Sequence, residues 1–218
     1  MRSNTQLQQQ VLEELQYEPS VDSSEIGVAV NDGIVSLTGK VKSYAEKYAA
    51  AHAAERVYGV RAVTDELDVD LPAFHQRDDQ DIARAALSAL QWDVLVPNDL
   101  IKVKVEDGWI TLEGTVNDRY QQNAADDAVR NLTGVKGVSN LITLKKPQVK
   151  ATDVREAIEN ALKRAAELDA NQVKVTVTDD KVILRGSVRS WAERREAERA
   201  AWSGPGVGAV QDELSIAA

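Results

Sequence analysis

The sequence predicts an α+β protein of three tandem αββαβ domains, each a three-stranded mixed sheet with two helices packed on one face. Three observations predict it. GIVSLTGKV (33–41), GWITLEGTV (108–116) and DKVILRGSV (180–188) are one motif in three copies, 75 and 72 residues apart. Twenty residues after each motif glycine (Gly39, Gly114, Gly186) stands a second one (Gly59, Gly134, Gly206), opening GVRAV, GVKGV or GVGAV. Within every copy the apolar spacing passes from helical period to strand period and back. The copies are expected at 1–70, 78–146 and 150–218, joined by the proline-bearing connectors LPAFHQRD (71–78) and PQVK (147–150).

Each copy opens with a four-residue apolar stripe: Leu7, Val11, Leu15; then Ile82, Ala86, Leu90; then Val154, Ile158, Leu162. That spacing puts one apolar face on a helix. Strict alternation follows at Ile26, Val28, Val30 and resumes at Val35, Leu37, Gly39, Val41, with equivalents in the other copies. Two alternating runs about a Gly- or Asp-rich turn make a β-hairpin. Ser43 with Glu46, Asp118 with Gln121 and Ser190 with Glu193 fit capping boxes that start a second helix.

The inward stripe of that helix is small: Ala50, Ala53 and Ala54 in the first copy, Ala197, Ala200 and Ala201 in the third. An alanine face lets the helix approach the sheet closely. The motif glycine is expected to clear the way beneath it, a bulge being the other explanation. Gly59, Gly134 and Gly206 suit left-handed helix caps. Pro205 should stop the third copy's helix early. Last strands are expected at 62–70, 138–145 and 209–216.

The element order, the V-x-L-x-G-x-V strand motif and the later G-V-x-x-V resemble the BON domain (bacterial OsmY and nodulation) in all three copies. The resemblance implies a non-enzymatic module, phospholipid-binding or transport-associated, serving envelope maintenance and osmotic stress. Family members are often periplasmic. The opening MRSNTQLQQQVL has no signal-peptide core, so a cytoplasmic location is expected.

Composition narrows the function classes. Zero cysteines exclude thiolate chemistry and thiolate zinc sites. A net charge of −9 argues against nucleic acid, whose phosphates need a cationic face. GxxG at 134–137 follows a helix and precedes a strand, unlike the helix–helix clamp of RNA binders. No run reaches the ~18 apolar residues of a membrane span. His52 falls where the other copies have Asp127 and Arg199, and His75 lies in a connector, so no catalytic set repeats. Asp32, Asp107, Asp179 and Asp180 read as turn formers rather than calcium ligands. No enzyme activity, cofactor or metal is expected, and a monomer is.

Charge is uneven: −6 over 1–70, −2 over 71–146 and −1 over 147–218. In the third copy Arg185, Arg189, Arg194, Arg195 and Arg199 surround Trp191 at a helix N-terminus. Unpaired amides, arginine forks and an indole together suit a phospholipid headgroup. Arg185, Arg189, Trp191, Arg194 and Arg195 are therefore the candidate headgroup site. Tyr44 and Arg119 with Tyr120 are the counterparts in the other copies. Against that reading, interleaved glutamates allow an ordinary Arg194–Glu198 pair, and Trp191 could bury itself on a neighbouring domain. The expected function is binding of anionic phospholipid or an envelope-associated partner. The alternative is a soluble protein–protein interaction scaffold in the stress response.

Overall fold

A computed structural model describes residues 3–145, 151–164, 172–178, 181–204 and 206–217. The first domain comprises α1 (Asn4–Tyr17), β1 (Ile26–Asn31), β2 (Ile34–Val41), α2 (Tyr44–Arg56) and β3 (Ala62–Val69). In the second come α3 (Asp79–Trp92), β4 (Ile101–Glu106), β5 (Trp109–Val116), α4 (Arg119–Arg130) and β6 (Gly137–Leu144). The third has α5 (Ala151–Arg164), β7 (Val173–Thr178), β8 (Lys181–Val188), α6 (Trp191–Trp202) and β9 (Ala209–Ile216). Short 3-10 turns stand at Ser23–Glu25, Ala73–His75 and Asn98–Leu100.

Each sheet is mixed, with the central strand antiparallel to the first and parallel to the last. A hairpin makes the antiparallel pair. The parallel pair needs a crossover, and the second helix supplies it. Asp32-Gly33 and Asp107-Gly108 turn the first two hairpins with both residues at positive φ, the two-residue turn whose twist matches the strands. Asp179 and Asp180 of the third turn lie outside the described residues, as do the connector 147–150 and Pro205.

Every domain has its own core. The predicted stripes form it: Leu7, Val11 and Leu15 in the first, Ile82, Ala86 and Leu90 in the second, Val154, Ile158 and Leu162 in the third. They meet inward strand residues such as Leu37, Leu112 and Leu184 and the alanines of the second helix. Each fully buried leucine contributes roughly 1.5–3 kcal/mol.

The motif glycines work differently from expectation. A Cβ at Gly39, Gly114 or Gly186 would overlap the carbonyl oxygen of Glu25, Leu100 or Gln172, not the helix. These carbonyls belong to the backbone entering the first strand, which crosses close over the central strand. All three glycines also have positive φ, +120°, +156° and +133°. Close backbone approach therefore fixes them. Gly59 and Gly134 are likewise not helix caps; each sits third in a turn closed by Val60 N–H to Val57 O or Val135 N–H to Leu132 O. Gly206 takes the same place before Val207, whose N–H donates to Gly204 O. Nor does α6 stop early, since it spans 12 residues as α4 does.

The caps are present with one variation. Gln121 Oε1 accepts from the N–H groups of Asn117 and Asp118. Glu46, only 8% exposed, reaches further and accepts from the N–H of Lys42 and of Asp22. Glu193 accepts from the N–H of Arg189. A carboxylate longer-reaching than a capping box thus pins the helix start to the preceding turn.

Candidate functional site

The second helices α2, α4 and α6 bring the three domains together, and equivalent positions do equivalent work. Their first residues are Tyr44, Arg119 and Trp191. Tyr44 packs against the core of the second domain. The Arg119 guanidinium lies over Trp202 of the third domain, 4.9 Å from the ring centre. Trp191 packs against the core of the first domain. One turn on stand Tyr48, Asn123 and Arg195. Arg130 of α4 covers the Tyr48 ring at 3.6 Å, and Arg195 Nη1 donates to Glu55 Oε2 at 2.5 Å.

Glu55, Arg130 and Trp202 are again equivalent to one another. One of these two helix positions on each domain therefore reaches the same position of the next: Tyr48 to Arg130, Arg119 to Trp202 and Arg195 to Glu55, first on second, second on third, third on first. A head-to-tail contact of this kind closes a ring when the rotation allows, and here it closes at three. Among the described residues, α2 and α6 are the interdomain helix pair with close backbone approach.

The ring's electrostatics follow from its burial. Desolvation raises the Tyr44 and Tyr48 hydroxyls above the ordinary tyrosine range. Burial pushes the Glu55 carboxyl up, but the hydrogen bond and charge of His52 and the charge of Arg195 outweigh it, leaving Glu55 low. His52 Nδ1 lies 2.8 Å from Glu55 Oε2 and also touches Arg195. A polar cavity of about 500 Å³ opens beside Tyr48, Asn123 and Arg195. Arg130 in its wall is paired with Asp126 and Asp127, and Arg119 donates to Gln122 while lying over Trp202, so the cavity is a seam of the ring.

Of the five predicted headgroup residues, Arg194 and Trp191 are brought together, the guanidinium 4.8 Å from the ring centre, while the cations are drawn to different carboxylates. Arg185 Nε donates to Glu213 Oε2 at 2.7 Å across the β8–β9 pair. Strand alternation puts it on the sheet face away from α6. Arg189 donates to Glu193 at 2.6 Å. Arg194 donates to Asp212 at 2.5 Å, so the expected Arg194–Glu198 pair is not made; Glu198 accepts from Trp202 Nε1 instead.

Lys47 with Asp65 and Gln122 with Asn140 occupy the positions of Arg194 and Asp212 in the other domains. Arg194 is thus a tie between helix and last strand. Arg195 and Trp191 belong to the ring, so Trp191 takes the alternative of burial on a neighbouring domain. The six structural glycines lie in the central strands of the hairpins and in the turns after the second helices.

Sequence reasoning missed the ring because its positions carry unlike chemistries. Its signal was a large side chain at the first position of every second helix. A second feature escaped as well. At the end of α3 and just after it, Trp92, Val94 and Leu95 are 85%, 96% and 52% exposed, where the first domain has Tyr17, Pro19 and Ser20. Among the described residues there is no metal-holding cluster, and no helix is long and apolar enough to cross a membrane.

Comparisons with known proteins agree with the threefold architecture. The BON domain model matches residues 3–70, 78–146 and 150–218. Over 132 residues, 56% of this chain, the sequence is 30% identical to "Osmotically-inducible protein Y" of Escherichia coli (strain K12). That match spans 62% of the relative's length. Two solved structures of CdsD, a structural protein of the type III secretion system of Chlamydia trachomatis, are 16% and 15% identical. They align over 97% and 100% of this chain and 92% and 100% of their own, each at a TM-score of 0.28, too low to support anything further. Family model, repeated sheets and three separate cores coincide, and the chain belongs to the BON domain family as three tandem copies.

Proposed function

We propose that the chain is a non-catalytic binding protein of the osmotic-stress response that contacts anionic phospholipid surfaces. The osmotic assignment rests on the likeness to the osmotically inducible relative. The observation that carries surface contact is the end of α3 and the loop after it, where Trp92, Val94 and Leu95 are exposed to solvent within four consecutive residues. An indole beside aliphatic groups fits the headgroup boundary of a bilayer. Arg185 and Arg189 supply exposed cations, their side chains 55% and 62% accessible. Arg185 is paired to the part-exposed Glu213, and such surface pairs are worth only about 0–1 kcal/mol, so a phosphate exchanges for that carboxylate cheaply; Arg189 is paired to the buried Glu193 and keeps that partner while its outer face meets solvent.

Vesicle flotation tests this. Binding to vesicles with anionic phospholipid is expected, at least about tenfold weaker for W92E, whose charge would enter the boundary at a penalty of a few kcal/mol. R185E/R189E should lower binding to anionic vesicles selectively. No binding to either vesicle type overturns the reading. A protein partner recruited in stress is the second reading, favoured by the net charge of −9, which repels an anionic bilayer. It expects no vesicle response and a stoichiometric partner lost on W92E.

A further inference from the structure

We infer that the first domain can leave its own ring and complete the ring of a second copy of this chain, two chains exchanging first domains reciprocally. Four features converge. The contact between the third and first domains joins partners that no connector links directly, so only ring closure holds them as neighbours. It combines the packing of Trp191 on the first core with a charged cluster of Arg195, Glu55 and His52, and the Trp191 indole N–H is buried without a protein acceptor. The first domain is tethered through residues 71–77, a stretch that spans roughly 25 Å when extended. Beneath that tether runs a cavity of about 540 Å³, bordered by Leu71, Gln76 and Arg77 on the connector and Asp107, Gly134 and Lys136 on the second domain. The connector borders this groove, with Leu71 buried at its first-domain end and Arg77 set against Gly134 at the other.

A ring completed by another chain's first domain repeats every contact of the closed monomer: Tyr44 on the second domain, Arg130 over Tyr48, Trp191 on the first domain and Arg195 with Glu55. The two states differ in connector path and association entropy, the usual condition for domain exchange. Tethering keeps the effective concentration of the chain's own first domain high, so the monomer leads when dilute and exchange grows with concentration. The inference does not depend on phospholipid binding, since no vesicle enters its test.

Charge reversal provides that test. E55R and R195E each place like charges at the contact within one chain. Mixed and exchanged, the two variants restore opposite charges at both contacts. The arginine introduced at position 55 of one chain meets the glutamate introduced at position 195 of the other, and the native Arg195 of the first meets the native Glu55 of the second. Light scattering behind size exclusion should show each variant alone at the 23.8 kDa chain mass and the incubated mixture at twice that. The E55R/R195E double variant should stay at one chain mass. E55K with R195D repeats the test with smaller side chains, and a cooperative thermal melt shows that every variant is folded. A mixture that remains at one chain mass overturns the inference, and so does a variant that dimerises alone as much as the mixture.

Discussion

Replacing Gly39 by alanine separates two accounts of the motif glycine. If the glycine cleared a path for α2, alanine would be one more small residue beneath an alanine face, and the loss would be slight. The structure instead puts the new Cβ onto the carbonyl oxygen of Glu25, with the Glu25 carbonyl carbon and then Ile26 Cα next nearest, at φ +120°. The left-handed backbone costs an L-residue roughly 1–2 kcal/mol. The overlap is with main chain, so no rotamer relieves it. The start of β1 must move, taking Ile26 partly out of the core for about 1–2 kcal/mol more. The expected loss is about 3 kcal/mol, a large part of the roughly 3–10 kcal/mol typical of a domain this size.

Gly59→Ala is the internal reference. It has φ +98°, but its nearest neighbour is Leu7 Cδ1 at 3.7 Å, so strain alone should act. Native-state hydrogen exchange of β1 and β2 amides reads the first domain separately from the others. Urea melts should show a lower midpoint with unchanged slope. G39A no less stable than G59A would refute the close-approach reasoning.

Three further outcomes follow from the same geometry. E46A removes the acceptor of two backbone N–H groups and should destabilise the first domain by about 2 kcal/mol in the same exchange experiment. Asp22 is held down to about 2, first by the Lys42 hydrogen bond and then by Ser24. An NMR titration should show this, with K42M moving it back toward the ordinary aspartate range; its contribution is full above that range, about 3.9, and is lost as pH falls from there to about 2. Glu55 is likewise depressed, so its support of ring closure is full above the ordinary glutamate range, near 4.3, and is lost as pH falls through its own lower value. Fluorescence transfer between the first and third domains should fall over that acid range in the wild type and stay flat in E55Q.

Period and punctuation carried the domain interior. Leu7, Val11 and Leu15 face inward because a four-residue spacing on a helix leaves no other face, and the Val35, Leu37, Val41 run is buried for the matching reason in a strand. What these patterns do not encode is which backbone lies across which. Gly39 read as a notch for a helix because its alternation pointed inward, whereas a carbonyl arriving from the preceding turn is invisible to periodicity.

The ring was hidden for another cause. Tyr44, Arg119 and Trp191 share a place and a task but not a chemistry, so comparing the repeats residue by residue shows variation where geometry shows equivalence. Arg194 misled similarly. Its helical neighbour Glu198 is near in sequence, yet Asp212 on β9 is the acceptor, as Asp65 and Asn140 are the strand partners of Lys47 and Gln122.

Closure of three domains through one repeated contact is the central claim, and a paired spin-label distance measures it most directly. The chain has no cysteine, so labels can go cleanly at Glu66→Cys on β3 and Lys181→Cys on β8, both exposed. In dilute solution the ring requires one narrow distance distribution that broadens when E55R is added. A broad distribution in the otherwise wild-type chain, unchanged by E55R, would mean that the first and third domains move independently and that no ring exists.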